Sequence, residues 1–112
     1  MDDCLFCKIA AGEIPATLLH EDERALAFAD INPQAPTHVL VIPRRHLTDQ
    51  RGITADNTDL MGHLITVANR VAADQGLSDF RTVINTGAKA GQSVFHLHVH
   101  LLGGRSMGWP PG

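Results

Sequence analysis

Apolar and polar positions along the chain change their period several times, and each change marks an element. The longest regular pattern covers residues 56 to 75, where Leu60, Leu64, Val67, Ala68 and Val71 recur at helical spacing with one buried stripe. Thr54 or Asp56 can cap its start, and Gly76 suits the position just past its end. Met61, Ile65 and Ala72 widen the stripe, which is either a broad core face or a core face with surplus for a second copy. Residues 4 to 11 read as a short helix ended by Gly12. Residues 17 to 20 and 24 to 29 pattern as a hairpin, with Leu26 and Phe28 on one face and Ala25, Ala27 and Ala29 on the other. After the Pro-punctuated loop "DINPQAP", residues 38 to 43 ("HVLVIP") form a continuous apolar run, a buried strand closed by Pro43. Residues 81 to 86 and 95 to 102 read as two more strands joined by the Gly-rich loop "GAKAGQS". About five strands, one long helix and one short one, without regular βαβ alternation, give an α+β class with a mainly antiparallel sheet.

Composition narrows the partners. The 112 residues fit a single domain over 1–112. A net charge of -3 argues against a broad basic surface for nucleic acid or an anionic membrane, so any anionic ligand must be held by local donors. No run approaches a membrane span, and the start Met1-Asp2-Asp3-Cys4 lacks the basic and apolar regions of a secretory leader. The two cysteines, Cys4 and Cys7, sit three apart, a spacing that suits a metal or redox pair better than a staple. The expected compartment is the cytoplasm.

The stretch "VFHLHVHLLGG" carries the chemistry. In a strand, alternate residues share a face, so Phe95, Leu97, Val99 and Leu101 are expected to point into the core. His96, His98 and His100 then form a row on the opposite face. A merely solvated face would use Thr, Lys or Glu; imidazoles suit protons, metals and phosphoryl groups near neutral pH. Three histidines on one strand converge poorly on a tetrahedral ion, whereas an imidazole nitrogen can attack phosphorus as a nucleophile. The loop before the row is either a plain turn or a phosphate cradle, with Gly87 and Gly91 freeing backbone amides and Gln92 and Ser93 adding side-chain donors.

At these residues the sequence closely resembles a known family. "HLHVHLL" matches the His-x-His-x-His-x-x signature of the histidine-triad (HIT) superfamily. "INPQAPTHVLVIP", "GQSVFHLHVHLLGGR" and the terminal "MGWPPG" look like its Hint branch, the purine nucleoside phosphoramidases. The likeness runs from about Phe6 to Gly112 and implies the HIT fold, a homodimer with one continuous sheet, and a nucleoside monophosphate bound by each subunit. Carried over, His98 matches the nucleophile and His38 a fourth histidine that assists it. His100 and Ser93 match phosphate contacts, Ser93 also donating to the departing group. Gly91 and Gln92 match loop contacts to phosphate, and Asn85 a phosphate and ribose contact. Asp30 matches the ribose hydroxyl acceptor and Ile31 the start of the base pocket. Phe6, Ile9 and Leu26 are either walls of the purine slot or plain core. Trp109 matches a tail residue that reaches toward the partner subunit's site. The implied reaction is hydrolysis of the P–N bond of a purine nucleoside 5′-phosphoramidate through a nucleotidyl-histidine, with no cofactor required.

The Cys-x-x-Cys pair departs from the Hint pattern. Other branches of the superfamily carry such a pair with two histidines on a structural zinc, which here implies Cys4, Cys7, His46 and His96; two reduced thiols are the alternative. His20 and His63 lack a partner pattern and read as solvated. Rival readings are a dinucleoside polyphosphate hydrolase or nucleotidylyltransferase of the same superfamily, a nucleotide-binding regulatory module without catalysis, and a zinc-binding interaction domain.

Overall fold

A computed structural model describes residues 3 to 112; Met1 and Asp2, the start of the segment expected not to be a secretory leader, lie outside the described residues. The elements run α1 (Leu5–Ala10), β1 (Leu18–Glu21), β2 (Ala25–Ala29), β3 (Thr37–Pro43), α2 (Thr58–Asp74), β4 (Phe80–Val83) and β5 (Val99–Gly103), with short 3-10 turns at Gln50–Gly52 and Ala88–Ala90. The strands form one sheet in the order β1-β2-β3-β5-β4, every neighbouring pair antiparallel. The α+β class and the strand count follow the sequence pattern, and among the described residues no helix is long and apolar enough to cross a membrane.

Period-two alternation sorts the central strands between two apolar layers. Ala25, Ala27, Val39, Val41, Val99 and Leu101 face α2, where Leu64, Val67, Ala68 and Val71 meet them. Leu26, Phe28, Leu40 and Ile42 face the other way and pack on Phe6 of α1. β3 is therefore covered on both faces, which is why its sequence reads as an unbroken apolar run. Of the three residues that widened the α2 stripe, Ala72 is buried and Met61 packs against this chain's own core, leaving only Ile65 exposed.

Four sequence expectations need correction. The long helix spans Thr58–Asp74 rather than 56 to 75, and Asn57 is its N-cap in place of Thr54 or Asp56; the Asn57 Oδ1 accepts from the Thr54 amide instead of from the helix. Gly76 does sit just past the end, with φ +73. β4 stops at Val83 rather than Thr86. β5 begins only at Val99, because the Leu97 amide donates to the Leu47 carbonyl (2.6 Å) of the loop after β3 instead of to a strand. Released from the ladder, Phe95 is half exposed rather than in the core.

Candidate active site

The departure of residues 95–98 from the strand divides the histidine row into two sites. His100 alone lies on β5, opposite Leu40 of β3, and His38 lies one step along β3 on the same face. Their rings meet, His38 Nε2 lying 2.9 Å from His100 Nδ1 and 3.4 Å from Asp30 Oδ2. The His98 and His100 ring centroids are 4.9 Å apart, and Phe6 stands edge-on to His98 at 5.1 Å. His96 turns away and is fully buried beside Cys4, Cys7 and His46.

Backbone partners assign the tautomer of each ring, since a neutral imidazole donates from one nitrogen and accepts at the other. The Gln34 amide donates to His38 Nδ1 (3.0 Å), so the His38 proton is on Nε2 and points to His100 Nδ1. His100 then carries its own proton on Nε2. His98 Nδ1–H donates to the His96 carbonyl (2.7 Å), leaving the His98 Nε2 lone pair free. Burial lowers the pKa of both rings, His100 down to about 4, with the neighbouring His98 and His38 adding to the effect and Asp30 opposing it. At neutral pH the cluster therefore offers an uncharged nucleophilic nitrogen next to a fixed N–H donor.

Around this pair, Asp30 is held at the end of β2, its amide donating to the His38 carbonyl and its Oδ1 accepting from the Asn32 amide. Ile31 is fully exposed on the same loop. Gly91 (φ +101) takes a backbone shape that favours glycine, and the half-buried Asn85 packs against it. Ser93 is exposed and lines a shallow cleft with Leu5, His46 and Phe95. Gln92 corrects an expectation. It is buried, its Nε2 donates to the Thr48 and Val94 carbonyls, and its Oε1 accepts from the Gly87 amide. Its side-chain donors brace the loop instead of facing an anion. Trp109 stands 83% exposed rather than among the imidazoles of its own chain.

The second cluster brings together the four residues expected as metal ligands. Cys4 Sγ lies 3.3 Å from His96 Nδ1, Cys7 Sγ lies 3.3 Å from His46 Nδ1 and 3.6 Å from His96 Nδ1, and the two Nδ1 atoms are 3.2 Å apart. A tetrahedral ion with Zn–S of about 2.3 Å and Zn–N of about 2.0–2.1 Å separates such ligands by about 3.5 Å, so the set fits zinc. His96 Nε2–H donates to the Pro43 carbonyl (2.8 Å), which turns its Nδ1 lone pair into the cluster, the outer-shell partner such a ligand needs. Burial, with Cys4 adjacent, pushes the metal-free Cys7 thiol up to about 11.

Sequence reasoning missed a third group. His20 Nε2 and His63 Nε2 lie 2.7 and 2.8 Å from Asp22 Oδ2, so neither histidine is merely solvated. The His20-x-Asp22 spacing was the available signal; His63 reaches the same oxygen from α2 and had none. Gln34 and Arg105, which bond through the Gln34 backbone, were also invisible to residue type.

The HIT domain family model matches residues 11–107 of this chain. A protein of Synechocystis sp. named as an uncharacterized HIT-like protein is 54% identical over 99% of this chain and 98% of its own length. A "14 kDa zinc-binding protein" of Zea mays is 52% identical over 96% of this chain and 87% of its own. Among solved structures, a HIT family hydrolase from Legionella pneumophila superposes with a TM-score of 0.95 at 50% identity, covering 98% of this chain and all of that one.

Proposed function

This chain belongs to the HIT domain family, and on that premise we propose that it hydrolyses the P–N bond of purine nucleoside 5′-phosphoramidates. The observation that carries the reading is His98, whose Nδ1–H is held by the His96 carbonyl so that Nε2 keeps a free lone pair beside His100. His98 Nε2 attacks the α-phosphorus, the P–N bond breaks, and the amine leaves with a proton donated by the Ser93 hydroxyl. The nucleotidyl-imidazolium so formed bears a positive charge that the His96 carbonyl stabilises at Nδ1–H. Water then attacks phosphorus, returning one of its protons to the Ser93 oxygen, and the P–N(imidazole) bond breaks to release the monophosphate and the neutral ring. His100 Nε2–H donates to a phosphate oxygen, the kind of fixed donor on which such a transition state depends. His38 orients His100.

Asp30 accepts from the ribose hydroxyls, Ile31 opens the base pocket, and Asn85 with the Gly91 turn contacts ribose and phosphate. Gln92 shapes that turn. Cys4, Cys7, His46 and His96 hold a structural zinc that ties α1 to the chain before β5 and takes no part in the reaction; catalysis needs no further cofactor. The same proposal includes a homodimer that extends the sheet. It is supported by β4 lying at the sheet's end and by the exposed Phe80, Ile65 and Trp109, with Trp109 reaching the partner's site. The two free thiols suit a reducing compartment, the cytoplasm.

Rapid acid quench during turnover of an AMP-amide, followed by peptide mass spectrometry, tests the chemistry. A nucleotidyl adduct on His98 is the expected result, and its absence under steady turnover overturns the reading. Faster cleavage of dinucleoside polyphosphates than of AMP-amides would instead assign the other hydrolase activity of the superfamily.

A further inference from the structure

We infer that Arg105 is a positioning residue for the reaction, acting through Gln34 on the proton of His38. This rests on the functional reading above for its link to catalysis, though not for its geometry. Arg105 directs both Nε (3.1 Å) and Nη2 (3.0 Å) to the Gln34 carbonyl oxygen, and no carboxylate pairs with it among the described residues. The other side of the same residue is the amide that donates to His38 Nδ1. That hydrogen bond keeps the His38 proton on Nε2, where it serves His100 Nδ1. The grip on the carbonyl and the setting of the tautomer are thus two ends of one residue.

The backbone is built for this reach. Gly104 has φ +90, and a Cβ there would lie 2.9 Å from Pro36 Cβ, so the chain after β5 turns close against the 30–36 loop only with glycine. Asp30 does not depend on Arg105, because its amide is held by the His38 carbonyl (2.9 Å). Loss of Arg105 therefore frees Gln34 while the ribose acceptor stays in place. The effect belongs in kcat rather than in KM.

The experiment compares the full chain with Arg105→Ala and Arg105→Lys, using imidazole 15N NMR at pH 7.5 and hydrolysis of an AMP-amide. In the parent protein His38 is expected as a single Nε2–H tautomer. In Arg105→Ala its two nitrogens should move toward averaged shifts, with kcat down about tenfold and KM within about twofold, a loss typical of misplaced rather than missing groups. Arg105→Lys, which keeps one donor, should recover part of both. Unchanged His38 shifts in Arg105→Ala overturn the inference whether or not kcat falls, since a lower kcat would then be a structural effect. Should Arg105→Ala fail to fold, the same comparison is made with Arg105→Lys, and parent-like His38 shifts and kcat there overturn it. A parent protein inactive on the AMP-amide overturns the functional reading alone, and the His38 tautomer still decides the role of Arg105.

Discussion

His98 Nδ1 lies 2.7 Å from the carbonyl oxygen of His96, two residues earlier in the chain. The contact is local, yet it joins the two clusters. His96 is anchored through Nε2 to Pro43 and through Nδ1 to the cysteine pair, so the carbonyl that sets the His98 tautomer is itself held from both sides of its ring. A residue turned away from the His98–His100 pair thereby fixes the tautomer of the proposed nucleophile.

His98→Asn keeps a side-chain N–H for the His96 carbonyl but has no nucleophilic nitrogen. Turnover of an AMP-amide should fall at least about a thousandfold, in line with removal of a nucleophile, whereas calorimetry should find AMP affinity within about threefold of the parent. A variant retaining parent-like rates would move the nucleophile elsewhere.

The pH profile follows from burial. His100 is held down to about 4, mainly by burial, and His98 moves in the same direction. The proposed reaction needs both rings neutral, one to attack and one to accept from His38. As pH falls, protonation of the cluster sets in below the ordinary imidazole value of about 6.5. The acid limb of kcat/KM should therefore have its midpoint below 6.5, and a midpoint at or above that value would contradict the buried, neutral cluster.

Much of this fold is legible in the sequence. Alternation in β2 and β3 and the 3.6 period of α2 are consequences of burying one face, and such faces show in residue type. The family resemblance already grouped Cys4, Cys7, His46 and His96, and the structure brings these four together; the spacing of the cysteines, three apart on one turn, accounts by itself only for that pair sharing a side. What residue type could not carry was the work of backbone groups. The Leu97 amide bonds to Leu47, ends the ladder early and exposes Phe95; the carbonyls of His96, Pro43 and Gln34 then set the rings and the Arg105 contact. Every residue owns such groups, so only the fold tells which ones matter. Gln92 failed for the related reason that an amide side chain serves a loop as readily as a ligand.

Asp22 ties β1, β2 and α2 together. Its Oδ1 accepts from the Arg24 and Ala25 amides, and its Oδ2 faces His20 and His63. Burial alone would raise this carboxyl, but those four bonds hold it well below the usual carboxylate range. A depressed carboxyl stabilises the fold above its unfolded pKa of about 3.9 and loses that contribution as pH falls toward the folded value. Asp22→Asn should therefore lower Tm relative to the parent at pH 7, and the gap should narrow below pH 4. A gap that is constant from pH 7 to pH 3 would remove the ionic part of the explanation.

Zinc should couple the metal cluster to stability. A Cys7 thiol raised by burial, a second thiol beside it and two inward-facing imidazole nitrogens are a poor packing arrangement on their own, and a cation would relieve it by taking the thiolate charge and both lone pairs. Ligand deprotonation then makes metal binding release protons, so affinity should weaken in acid. Elemental analysis of the parent should give one zinc per chain, and Cys4→Ser should lose most of it. The variant's Tm should fall by several degrees, because α1 and the chain before β5 are joined there and Phe6 of α1 closes one apolar layer. His46→Ala removes a ligand from a loop that does not belong to α1, and it should lower zinc content in the same way. Metal-free parent protein with an unchanged Tm would show that reduced thiols and hydrogen bonds suffice, and that the lock on the His96 carbonyl needs no ion.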